Sequence, residues 1–113
     1  MVAEHEFLKA LYAAFNARDL EAALAGMHVD VVWANGMDGG TVQGRNAVRG
    51  YWTRQWRLID PRVEPQRFTD ENGGTLVEVH QVVRDLEGGL VADQMVRHHF
   101  RFEKGLVKTF EIR

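Results

Sequence analysis

Apolar side chains recur every three or four positions in the first part of the chain, which is the spacing of an amphipathic helix. This stripe predicts a helix from Glu6 to Ala17 and consists of Phe7, Leu8, Leu11, Tyr12 and Phe15. Asp19 follows as a suitable cap for a short second helix from Leu20 to Met27, because its carboxylate can accept hydrogen bonds from free backbone N–H groups. The same spacing returns in a third helix, predicted over Asn46–Leu58.

The remaining segments are rich in β-branched and aromatic residues and end at turn residues, which is typical of strands. Strands are predicted at Val31–Asn35, Thr41–Gln43, weakly around Gln66–Phe68, and at Thr75–Asp85, Leu90–Glu103 and Leu106–Arg113. Pro61 and Pro65 are placed in the connection beyond the third helix. Helices at one end of the chain and antiparallel strands at the other predict an α+β fold. We expect a curved, mostly antiparallel sheet with three helices over its concave face, forming a cone with an apolar mouth.

Length and composition narrow the class of protein. The 113 residues predict a single domain over 1–113, and the absence of cysteine excludes a disulfide scaffold, a zinc ribbon and a thiol nucleophile. A formal charge of −2 argues against a nucleic-acid partner. No apolar run approaches the ~18 residues of a membrane helix, and the acidic N-terminus is unlike a secretory signal. We therefore expect a soluble, cytoplasmic protein that binds neither nucleic acid nor membrane.

Four phrases of the sequence, in their order and spacing, resemble the SnoaL-like branch of the NTF2-like superfamily. They are Phe15-Asn16-Ala17-Arg18-Asp19-Leu20, His28-Val29-Asp30-Val31-Val32-Trp33, Gly44-Arg45-Asn46-Ala47-Val48 and Phe100-Arg101-Phe102-Glu103-Lys104-Gly105-Leu106-Val107. The resemblance covers nearly the whole chain and implies the α+β cone, with a homodimer formed through the outer face of the sheet. It leaves the reaction open, because ketosteroid isomerases, polyketide cyclases, epoxide hydrolases and dehydratases share this fold.

The resemblance does not extend to the catalytic residues of ketosteroid isomerase, which uses a carboxylate base and an oxyanion hole of a tyrosine and a protonated aspartic acid. The position of the base falls on Asn35, and that of the oxyanion aspartic acid on His98. The oxyanion tyrosine falls on Leu11, with Tyr12 one step away, and its supporting tyrosine on Trp52. An amide cannot take a proton near neutral pH and a leucine cannot donate a hydrogen bond, so this mechanism is rejected.

Alternation along the strands predicts which side chains enter the cone. From Gln94 to Phe102 the apolar set includes His98, whereas His99 faces outward. The same rule turns Trp33, Asn35, Gln81 and Phe110 inward. The predicted pocket therefore has polar groups and aromatic walls, supplied by Trp33, Asn35, Gln81, Gln94 and His98 and by Trp52, Trp56, Phe100 and Phe110.

His98 is the candidate catalytic residue, because imidazole is the natural acid–base group near neutral pH. Burial among apolar groups would lower its pKa and favour the neutral ring. A hydrogen-bonded core histidine is the alternative interpretation. Among the carboxylates, Asp93 is expected on the opposite face and Asp38 in a solvated loop at the mouth of the cone.

No cofactor or metal is expected. His98 and His99 point to opposite faces of a strand and cannot chelate one ion, and no glycine-rich phosphate motif is present. Two functions stay open. One is a binding protein for a small apolar molecule, acting as an isomerase, cyclase or hydro-lyase through acid–base chemistry in the cone. The other is a non-catalytic module for dimerisation or partner binding, with its cone filled by its own tryptophans.

Overall fold

The computed structural model describes residues 2–71 and 73–113. The elements are α1 (Val2–Asn16), α2 (Leu20–Ala25), β1 (Met27–Ala34), β2 (Thr41–Gln43), α3 (Arg45–Leu58), β3 (Asp60–Glu71), β4 (Gly74–Arg84), β5 (Leu90–Glu103) and β6 (Leu106–Ile112). The strands form one curved, open sheet in the order β2-β1-β6-β5-β4-β3. Its neighbours are antiparallel apart from the parallel pair of β1 and β6. The predicted α+β cone is confirmed. None of the helices in the described ranges is long and apolar enough to cross a membrane.

The three predicted helices are confirmed, with corrected boundaries: α1 runs from Val2 to Asn16 instead of Glu6 to Ala17, and α3 begins at Arg45 instead of Asn46. Asp19 caps α2 by accepting a hydrogen bond from the Ala22 N–H at 3.2 Å. The predicted helix over Leu20–Met27 instead ends at Ala25, and Met27 is the first residue of β1. The cause is tertiary, because the carbonyl of Gly26 accepts a hydrogen bond from the Val107 N–H at 2.9 Å and draws the chain onto β6.

The largest correction concerns β3, which was predicted only as a weak strand around Gln66–Phe68. The strand is 12 residues long and contains both Pro61 and Pro65. β3 is the edge of the sheet and pairs with β4 alone, so the missing proline N–H groups leave no partner unsatisfied. The register shifts once, between Pro65 and Arg67.

Helix α1 is fixed to this edge strand by a pair of hydrogen bonds from one side chain. Asn16 Nδ2 donates to the Val63 carbonyl at 2.7 Å, and its Oδ1 accepts from the Val63 N–H at 3.0 Å. Arg18 adds a hydrogen bond to the Pro61 carbonyl at 2.8 Å and an ion pair with Asp60. These contacts hold α1 across the concave face of the sheet, and Tyr12 lies on this helix.

His99 was predicted to face outward, and the structure separates that direction from exposure to solvent. The residue is outside the cavity of the cone, yet its ring is fully buried. Its Nε2 donates to the Glu71 carbonyl at 3.0 Å, and its Nδ1 lies 3.8 Å from Glu111 Oε1. Gly74 approaches the ring so closely that a Cβ there would lie 2.8 Å from it. The end of the β3–β4 hairpin therefore covers His99.

Candidate functional site

A cavity of about 240 Å³ opens between the helices and the concave face of the sheet. Seven of the nine predicted site residues line it, namely Trp33, Trp52, Gln81, Gln94, His98, Phe100 and Phe110. An engineered cavity of about 150 Å³ is enough for benzene. The cone therefore has room for a molecule larger than a single six-membered ring.

Two predicted members, Asn35 and Trp56, are not among the residues that line the cavity. β1 ends at Ala34, and Asn35 Oδ1 accepts hydrogen bonds from the N–H groups of Met37 and Asp38 at 3.0 and 2.9 Å. Asn35 therefore stabilises a turn, and its prediction as a polar group in the pocket is wrong. Trp56 packs behind the wall, with the Arg18 guanidinium 5.1 Å from its ring centre.

His98 lies deep in the cavity and is paired with a residue that the sequence analysis did not select. Its side chain is 6% exposed, and its Nδ1 is 2.7 Å from the hydroxyl oxygen of Tyr12. The two rings are nearly parallel, with 4° between their planes, while the Phe110 ring meets His98 edge-on at 4.7 Å. His98 therefore lies in the lining of the cone, on the face of β5 that alternation predicts.

Burial acts on both members of this pair in the same direction, towards the neutral form. Desolvation lowers the pKa of His98 from 6.5 to about 4. Desolvation also raises the pKa of Tyr12 well above its ordinary value. Near neutral pH the cavity therefore contains a neutral imidazole and a neutral phenol joined by a hydrogen bond.

The aromatic walls of the cavity pack on one another and leave its centre open. Trp33 stacks on Phe110 with ring centres 4.1 Å apart, and Trp52 meets Trp33 edge-on at 5.3 Å. Phe100 contacts the rings of both Trp33 and Phe110, and it is almost completely buried. Trp33 and Trp52 form part of the wall of the cone and do not plug it.

Further amide and phenol groups lie in the otherwise apolar lining of the cavity. Gln94 Nε2 donates across the strands to Gln81 Oε1 at 3.4 Å. The Tyr51 hydroxyl accepts from the Gly36 N–H at 3.0 Å and from Gln55 Nε2 at 3.4 Å. Gln55 Oε1 is buried with no hydrogen-bond partner among the described residues. Tyr51 and Gln55 were missed because nothing in their local sequence separates them from the ordinary apolar face of α3.

Asp38 and Asp93, the two carboxylates that the sequence analysis considered, make their contacts outside the cavity. Asp38 forms an ion pair with Arg54 at 2.6 Å, and both side chains are more than half exposed. Asp93 lies 2.7 Å from His80 Nε2 in an exposed contact between strands. Neither acid lines the cavity. Over residues 2–71 and 73–113, no group of three or more metal-ligating side chains is found.

The family of this chain is shown by a sequence match: residues 8–110 match the model of the SnoaL-like domain. The chain belongs to the SnoaL-like domain family. The match spans helix α1 through strand β6, so both Tyr12 and His98 lie within this SnoaL-like domain. Among curated proteins, none has a sequence that matches the chain.

Solved structures show what this SnoaL-like domain is similar to. An NTF2-like protein of unknown function from Burkholderia pseudomallei is 29% identical, with 100% of this chain and 91% of that chain covered and a TM-score of 0.87. TerC, co-crystallised with polyporic acid, is 28% identical, with 96% and 88% covered and a TM-score of 0.83. A proposed polyketide cyclase from Sinorhizobium meliloti is 18% identical, with 96% and 94% covered and a TM-score of 0.82, and supports the fold alone.

Proposed function

We propose that this SnoaL-like domain binds a small, apolar, cyclic molecule in the cone and acts on it by acid–base chemistry through His98. The reaction belongs to the isomerase, cyclase or hydro-lyase type. The observation that carries the proposal is an open cavity with one buried, neutral imidazole in its wall. A neutral imidazole has both an acceptor and a donor nitrogen, so it can remove or supply a proton at a bound substrate.

The lining supports an apolar, uncharged ligand. Trp33, Trp52 and Phe110 provide flat surfaces, and planar rings pack favourably against such faces. No Lys, Arg, Asp or Glu is among the described residues that line the cavity, so a buried charge on the ligand would have no counter-ion there. TerC was co-crystallised with polyporic acid, which supports a small-molecule ligand in a related cone.

The rival function, a non-catalytic module with a filled cone, has less support. It requires the tryptophans to occupy the hollow, but Trp33 and Trp52 line an open space and Trp56 lies outside it. Closing a cavity of about 240 Å³ would need a rearrangement of the packed rings.

1-Indanone, an uncharged and apolar bicyclic ketone, is used as the probe and is expected to quench the fluorescence of Trp33 and Trp52 in a saturable titration, because both side chains line the cavity. His98→Ala should weaken this binding by about tenfold or more, since it removes a buried hydrogen-bonding group and leaves Tyr12 without its partner. His5→Ala is the control, because His5 lies on α1, outside the cavity and away from the outer face of the sheet. Equal affinities for wild type and His98→Ala would remove His98 from the binding site.

The domain is also proposed to form a homodimer through the outer face of the sheet. Met95 lies between inward-facing residues of β5 and is 58% exposed, and Val91 on the same strand is 59% exposed. Large apolar side chains at this spacing on an open sheet favour a second protein surface over water.

Met95→Glu is expected to convert the dimer to a monomer, because it places a charge in the apolar part of the interface. Sedimentation velocity measures the change. Leu58→Glu is the control, since Leu58 is similarly exposed but lies at the end of α3. A wild-type protein that sediments as a monomer would contradict the proposal.

A further inference from the structure

Tyr12 and His98 together carry a fixed number of acidic hydrogens. A neutral phenol carries one O–H and a neutral imidazole carries one N–H, so the pair has two acidic hydrogens. One of them forms the 2.7 Å hydrogen bond between the Tyr12 hydroxyl and His98 Nδ1. The other hydrogen has no acceptor among the described residues, and both side chains line the cavity. A bound molecule is therefore offered one donor by the pair.

The count allows two arrangements, which differ in the direction of the shared hydrogen bond. In the first, the Tyr12 O–H donates to Nδ1, and His98 carries its own hydrogen on Nε2. In the second, Nδ1–H donates to the Tyr12 oxygen, the phenol hydrogen is free, and Nε2 has a free lone pair. In each arrangement the pair offers a donor at one end and a lone pair at the other. The second arrangement becomes the first when one proton arrives at Nε2, one crosses the shared hydrogen bond from Nδ1 to the Tyr12 oxygen, and one leaves the Tyr12 hydroxyl.

Electrostatics favours moving those hydrogens together over moving them one at a time. A stepwise transfer would create an imidazolium or a phenolate in a site walled by Phe100 and Phe110. Both ions are penalised there, since burial shifts the pKa of His98 downward and that of Tyr12 upward. A concerted shift keeps both side chains neutral throughout.

We propose that Tyr12 and His98 form a neutral proton relay that transposes a proton between two atoms of a bound enolisable carbonyl compound. The C–H bond next to the carbonyl breaks, and its proton goes to His98 Nε2. The Nδ1–H proton moves to the Tyr12 oxygen, and the Tyr12 O–H proton moves to the carbonyl oxygen. The electron pair of the C–H bond forms the C=C bond of the enol, and the pair of the carbonyl π bond takes up the new proton. The enol is an isomer of the ketone, so no other reactant is needed.

The relay makes Tyr12 a second catalytic residue, and it rests on the proposed function, since a cyclic apolar compound must first enter the cone. Donation from the Tyr12 hydroxyl takes the part of an oxyanion-stabilising group, and Nε2 takes the part of the base. The transfer starts from the second arrangement and leaves the pair in the first. The pair returns to the second arrangement through the reverse transfer, either from the enol or from water when the cavity empties.

1-Indanone is a suitable probe, because it is apolar, bicyclic and enolisable at the carbon next to its carbonyl group. In D2O near neutral pH, proton NMR is expected to show that the protein exchanges the hydrogens at this carbon for deuterium faster than buffer does. Tyr12→Phe and His98→Gln should each reduce the protein-dependent rate by about 100-fold or more, which is the usual contribution of a positioned acid or base. His5→Gln serves as the control and should keep the wild-type rate, because His5 lies on α1, outside the cavity and away from the outer face of the sheet.

Binding of 1-indanone, followed separately by tryptophan fluorescence, distinguishes the relay from the proposed function. Saturable binding without exchange overturns the relay and leaves ligand binding intact. Exchange that survives Tyr12→Phe but not His98→Gln also overturns it, because His98 would then act alone. Absence of binding overturns the proposed function together with the relay.

The pH dependence of the exchange rate tests the relay separately from the loss of activity in the variants. A relay between neutral groups predicts an exchange rate that is flat from about pH 5.5 to 8.5 and falls at lower pH as His98 becomes protonated. Catalysis by a Tyr12 phenolate would instead rise about tenfold with each pH unit over this range. Such a rise would overturn the relay.

Discussion

Leu8→Ala is expected to lower the free energy of unfolding by about 2–5 kcal/mol, whereas Leu58→Ala should change it by less than about 0.5 kcal/mol. The chemical change is the same in both variants, and both residues lie in helices. The two positions differ in burial, since Leu8 is fully buried in the core within α1 and Leu58 is 55% exposed at the end of α3.

The cost at Leu8 has two parts. The variant loses the transfer free energy of the deleted methyl and methylene groups, and it leaves a space that the surrounding structure fills only in part. Leu8 belongs to the core between α1 and the sheet, on the helix that also carries Tyr12. It is not among the residues that line the cavity, so the effect measures the docking of α1 independently of any ligand.

Chemical denaturation of the two variants beside wild type gives both values from the midpoints and slopes of the transitions. A loss for Leu8→Ala that is no greater than that for Leu58→Ala would mean that α1 does not pack on the sheet as described.

The inward position of His98 was predictable because a long strand repeats its side-chain direction every second residue. Gln94, His98 and Phe100 share one parity, and all three line the cavity. The rule failed at Asn35 because β1 ends one residue earlier, at Ala34. Beyond the end of a strand, alternation no longer determines direction, and the amide there bonds the local turn instead.

Tyr12 could not be identified from local sequence, because a tyrosine in an apolar helical stripe fits a buried helix face equally well. Its partner His98 is 86 residues away, and only the completed fold brings the two side chains to 2.7 Å. The resemblance to ketosteroid isomerase placed the oxyanion tyrosine at Leu11, one residue from Tyr12. This was the nearest signal in the sequence. Strand β3 was underestimated for a related reason, since only the tertiary pairing shows that Pro61 and Pro65 lie on an edge.

Trp56 shows the limit of helical periodicity as a guide to a site. It follows Trp52 by one turn of α3, so spacing alone places the two rings on one face. The rings do stack, at 5.8 Å, but Trp56 is not among the residues that line the cavity, and its ring meets Arg18 and Phe15 instead. Periodicity therefore predicted the packed face correctly and left the extent of the hollow undetermined.

The stability of the protein is expected to fall as the pH is lowered from about 6.5 to 4, and His98 should account for up to about 3 kcal/mol of the loss. Above pH 6.5 the residue is neutral in both the folded and the unfolded chain and contributes no pH dependence. Between the two pKa values the unfolded chain binds a proton that the folded chain does not, so unfolding becomes easier. Below about pH 4 both states are protonated, and the contribution levels off.

Titrating carboxylates also change the stability in this range, so the measured quantity is the difference between wild type and His98→Gln. Glutamine cannot be protonated, and the variant should therefore lose part of the acid sensitivity although it is less stable near neutral pH. Urea denaturation at a series of pH values gives both curves, with His80→Gln, which removes a partly exposed imidazole, as the control. Parallel curves for wild type and His98→Gln would mean that His98 is protonated in the folded protein as readily as in the unfolded chain. The neutral imidazole required by the proposed acid–base chemistry would then be absent at mildly acidic pH.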